Sequence, residues 1–73
     1  MLTMDEYRVI DRIYPNYLEQ GDLIKVKGEI FEVLNISDTP TGFDVLVVDN
    51  YQETKTIAMP DNVMVSLVID ERI

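Results

Sequence analysis

Asp22-Leu23-Ile24-Lys25-Val26-Lys27-Gly28-Glu29-Ile30-Phe31-Glu32-Val33 decides the class of fold. Ile24 and Val26 fall on one side of this stretch, and Lys25 and Lys27 on the other. After Gly28, Phe31 and Val33 point inward and Glu32 outward. A period of two marks a half-buried strand. Gly28 breaks the pattern, and glycine permits the sharp bend or bulge at which a second strand begins. The stretch therefore reads as one strand over 22–27 and another over 29–36.

Turn chemistry divides the rest of the chain in the same way. Asp38-Thr39-Pro40-Thr41-Gly42 reads as a hairpin connection into a third strand, 43–48. Asp49-Asn50 turns the chain toward a fourth strand, 55–59, and Pro60-Asp61-Asn62 leads into a fifth, 63–69. That last connection is too short for anything but a tight corner, such as one turn of 3₁₀ helix. Before residue 22 the pattern changes. Thr3 and Glu6 have the spacing of a capping box, and Tyr7, Ile10, Ile13, Tyr14 and Tyr17 recur every three to four residues. A short helix is expected, ending at Tyr14 because Pro15 disfavours α geometry in the residue before it. Read as a strand, the same segment places Tyr7, Val9 and Ile13 on one face together with Asp11.

The expected architecture is thus mainly β: one domain over 1–73, a small, five-stranded, strongly bent and partly open barrel. Residues 1–18 form its N-terminal helix and cover, and 22–69 its five strands. At this length only about 60% of the unfolded chain's surface can be buried, so extra support is expected. The chain has no Cys and no His, which removes disulfides and the usual zinc ligands. Partner subunits are the remaining support.

The strands carry more apolar surface than one small barrel can enclose. Phe43, Val45 and Val47 fill one face of the third strand, but Leu46 and Val48 lie on the other with only Asp44. The fifth strand sets Val63, Val65, Leu67 and Ile69 against Met64, Ser66 and Val68. Either the N-terminal segment covers the surplus or a second subunit does. For the second case the expected interface residues are Leu46, Val48, Met64 and Val68.

Composition excludes several classes of function. Fourteen acidic residues against six basic ones give a formal net charge of −8, which is the wrong sign for general phosphate-backbone binding. Without His or Cys, neither Ser-His-Asp nor Cys-His catalysis can be built, and Ser37 and Ser66 have no evident base. The isolated Gly21, Gly28 and Gly42 form no phosphate loop. Asp38 and Asp44 flank a tight loop but lack the alternating ligands and distal Glu of a calcium site, so an Asp-initiated turn accounts for them. Neither a catalytic site nor a cofactor is expected. The N-terminus has no basic start followed by the apolar run of a signal peptide, and no stretch reaches the roughly 18 apolar residues of a membrane span. The expectation is a cytoplasmic protein with no membrane partner.

The pattern of elements resembles the Sm-like family: a short N-terminal helix, five bent strands and a tight corner between the last two. Ile24 to Val33 is similar to the opening of that family's first motif, where apolar alternation leads to a glycine, and Ala58-Met59-Pro60-Asp61-Asn62-Val63 falls where the second motif lies. Met59 and Pro60 stand where the family carries a basic residue and a glycine. The resemblance implies a homo-oligomeric ring closed by pairing of the fourth and fifth strands. It implies RNA binding less, because no cation falls among the matching pocket positions. Under this alternative, contacts to a single-stranded nucleic acid fall to Asn35, Asp38 and Asn62, with Tyr14 and Tyr17 stacking on bases. Small acidic relatives of this kind look like proteins of phage-type genomes, which implies a host-cell cytoplasm. A Src-homology-type barrel shares the strand pattern and implies a monomer with a peptide or protein ligand.

Overall fold

A computed structural model describes residues 7–70 of the chain. It is mainly β: six antiparallel strands in a single sheet, with β1 Tyr7–Ile13, β2 Leu23–Val26, β3 Glu29–Thr39, β4 Gly42–Val48, β5 Thr54–Pro60 and β6 Val65–Asp70. Their order across the sheet is β1-β6-β2-β3-β4-β5.

The last five strands match the sequence reading with small shifts of boundary. Lys27 and Gly28 form a two-residue hairpin with φ of +51° and +82°, so that Val26 pairs directly with Glu29. Positive φ at both central residues matches the twist of the flanking strands. β3 runs on to Thr39, pairing there with Gly42, because Pro40 and Thr41 alone suffice to turn the chain. A register shift between Val33 and Asn35 leaves Leu34 as a bulge, which bends the long strand. The corner between β5 and β6 is a simple turn closed by Val63 N–H donating to the Pro60 carbonyl, at 3.3 Å, rather than a 3₁₀ helix.

The N-terminal expectation requires correction. Tyr7–Ile13 is a strand, not a helix, and the sheet therefore has six strands rather than five. The capping residue Thr3 lies outside the described residues, as does Glu6. Two physical reasons favour the strand. Tyr7, Val9, Ile10 and Ile13 are aromatic or β-branched and suit a pleated surface. β6 also offers a full backbone edge, paired from Tyr7↔Asp70 to Ile13↔Val65. A register shift between Val9 and Asp11 takes up Ile10, so Val9 and Ile13 face opposite sides. Tyr14, before Pro15, is extended at φ −74° and ψ 151°, and Pro15–Tyr17 form one 3₁₀ turn.

The core lies on one face of the sheet. Ile24, Phe31, Val33, Val45, Val47, Met59 and Val65 are buried there with Leu18, and Ile13, Val26, Ile57 and Leu67 pack against them. The sheet curls so that β5 comes to face the β2–β6 pair across this core, but β1 and β5 remain unpaired ends. The sheet is open, and a closed barrel is not formed.

Candidate interaction site

Among the described residues, two sheet ends and the grooves beside them offer surfaces for binding. An end strand presents a row of backbone N–H and C=O groups to any chain that can pair with it. β6, flanked by β1 and β2, presents none. The fourth-with-fifth pairing that an Sm-like ring uses would require β6, whose outer edge is covered by β1.

β1 is exposed from Arg8 to Arg12, including Val9 at 42% and Ile10 at 48%. Ile69 beside it is 37% exposed. Ile10, Leu23 and Leu67 to Ile69 line a shallow groove of about 340 Å³ where β1 meets β6.

The other end, β5, differs in chemistry. A groove of about 350 Å³ lies where the sheet fails to close, floored by Val26, Ile57, Met59, Met64 and Val65 and bordered by Lys25 and Lys27. A second concavity of about 200 Å³ shares Val26, Lys27 and Ile57 with it and adds Glu29, Phe31 and Lys55. Lys55 Nζ stands 5.0 Å from the centroid of the Phe31 ring, within the range of a cation–π contact. Lys25, Lys27 and Lys55 are three of the five described cationic side chains, the others being Arg8 and Arg12 on β1. In a chain of net charge −8, these grooves are a local basic zone.

The residues expected at a subunit contact fall in different places. Leu46 is 36% exposed and Met64 48%, while Val48 is half-buried. Val68 does not lie on an open face: it is only 4% exposed. Its strand is central, and Val9 of β1 and Leu23 of β2 flank it in the same cross-strand row. Both faces of β6 are therefore largely covered, Val65 by the main core and Val68 by its neighbours.

The residues named for nucleic-acid contact are all exposed, with Tyr14 at 42% and Tyr17 at 66% in the corner after β1. Asn35 and Asp38 are on β3, and Asn62 is in the turn before β6. None of the five lines any of the three grooves above. Among the described residues, no three acidic side chains group closely enough to hold a metal ion. Asp38 and Asp44 both lie within the β3–β4 hairpin, where Asp38 pairs with Phe43 and Asp44 with Ser37. No helix among the described residues is long and apolar enough to cross a membrane.

The alternation in residues 22–27 puts Lys25 and Lys27 in one row, but nothing in the sequence places Lys55 beside them. That neighbourhood exists only because the sheet curls. No family model matches this chain, and neither a curated protein nor a solved structure matches it.

Proposed function

We propose that this protein is a non-catalytic interaction module that works as a homo-oligomer. The observation that carries this reading is the open sheet, whose end strand β1 is exposed over five consecutive residues, Val9 and Ile10 among them, with exposed Ile69 beside it. A small chain with neither Cys nor His gains most from a partner subunit that extends its sheet and covers such side chains.

The Sm-like resemblance implies a ring joined through the outer edge of β6, an edge that β1 occupies here. With β6 covered, the self-contact falls to the edge of β1, and Leu46 and Val48 are further apolar residues a second copy can cover. Strand pairing would join the backbones, and the apolar side chains would add burial worth roughly 25 cal/mol per Å².

Light scattering on a size-exclusion column tests the reading. At about 100 µM protein a defined species of two or more subunits is expected. Ile10→Lys, placed on the exposed edge, should return it to the monomer mass with an unchanged far-UV spectrum. A monomeric parent protein at that concentration would refute the proposal.

A further inference from the structure

We propose that the open edge of β5 and the lysine-bordered groove beside it take up an extended acidic segment of a partner protein, with apolar side chains at alternate positions. This site lies at the opposite end of the sheet from the β1 self-contact, and it does not depend on that contact.

Three features of the groove define the ligand. First, β5 is an end strand of seven residues, Thr54–Pro60, with one row of backbone groups facing away from β4. At about 3.3 Å per residue it can pair with a segment of similar length. Secondly, the floor is apolar: Val26, Met59, Met64 and Val65 can receive every second side chain of an added strand. Thirdly, Lys25, Lys27 and Lys55 against Glu29 give the rim a net charge of +2, in a chain whose total is −8. Carboxylates at the alternate positions of the segment would meet these ammonium groups.

The same features disfavour other occupants. A second copy's β1 offers these ammonium groups a single carboxylate, Asp11. Stacking of nucleic-acid bases needs exposed rings, yet the only aromatic residue lining either concavity is Phe31, which is 2% exposed and has Lys55 over its face.

The test is a titration of the full chain, followed by amide chemical shifts. The probe is a blocked seven-residue peptide alternating Val or Ile with Asp or Glu. Shifts are expected at residues 55–59 and 63–66. Methylating alternate backbone nitrogens of the peptide should abolish them, because strand addition needs those N–H groups. Lys27→Glu with Lys55→Glu changes two exposed side chains and should weaken binding about tenfold or more, from attraction turned into repulsion at two sites.

Absence of shifts at millimolar peptide would overturn the proposal. So would equal binding of a peptide carrying Lys in place of Asp and Glu, or shifts centred on β1. A ten-nucleotide oligothymidylate that shifts the same amides at lower concentration would reassign the groove to nucleic acid. Shifts at 55–59 that appear on concentrating the protein alone would reassign it to a second copy.

Discussion

Gly42→Ala is the substitution whose cost the structure sets most directly. Gly42 opens β4 with φ at +155°, buried beneath the end of β5, where it pairs with Pro60. A methyl group there would overlap the Met59 carbonyl oxygen and come within 2.9 Å of the Asp61 backbone nitrogen and the Pro60 Cα. All three are backbone atoms, so relief requires moving the β5 strand rather than turning a side chain. Overpacking of this kind costs about 1–3 kcal/mol. The positive φ adds roughly 1–2 kcal/mol for a residue with a Cβ. The expected loss is therefore about 2–5 kcal/mol, against a total of roughly 4–11 kcal/mol for a domain of this length at 0.05–0.15 kcal/mol per residue.

Gly28→Ala is the control. Its φ is +82°, but a methyl group there meets nothing within 4 Å, so only the conformational cost remains. Urea denaturation followed by circular dichroism would measure both variants. With a slope near 1 kcal/mol per molar, the Gly42 midpoint should fall by about 2–5 M and the Gly28 midpoint by about 1–2 M. Each series should be run at several protein concentrations, since self-association adds a concentration-dependent term. Losses that agree within about 0.5 kcal/mol would refute the packing of β5 on Gly42, and with it the placement of the groove wall.

Two further substitutions probe other parts of the fold. Val68→Asp buries an unpaired charge at a 4% exposed position, so the protein should lose its far-UV spectrum and thermal transition rather than merely dissociate, whereas Leu46→Lys should leave stability within about 0.5 kcal/mol. A folded, monomeric Val68→Asp protein would show that this side chain is covered by a partner instead. Asp49→Ala removes the carboxylate oxygen that accepts from the N–H of Tyr51 at 2.8 Å and of Glu53 at 3.0 Å, and should cost about 1–2 kcal/mol. Hydrogen exchange at those two amides should speed up, and Asp49→Asn should restore most of their protection.

What the sequence determined by itself is the local pattern. Alternation at Ile24-Lys25-Val26 and Phe31-Glu32-Val33, and turn residues such as Gly28, Pro40-Thr41 and Pro60-Asp61-Asn62, are short-range signals. Side chains alternate sides along any strand, and turn backbones demand particular residues whatever surrounds them. The last five strands and most of the core residues were legible for that reason. The absence of Cys and His likewise removed disulfides and the usual zinc ligands before any coordinates.

The tertiary structure decided the rest, because it depends on which edges meet. Tyr7–Ile13 has both a helical spacing and strand-forming residues, and only the free edge of β6 selects the strand. Val68 looked outward by simple alternation, but alternation says which side a residue faces and not whether that side is covered. Val9 and Leu23, one on each flanking strand, cover it. The gathering of Lys25 and Lys27 with Lys55, about thirty residues further along the sequence, beside two adjoining concavities arises from the curl of the sheet. That curl comes from long-range pairing and a bulge at Leu34, which no local period encodes.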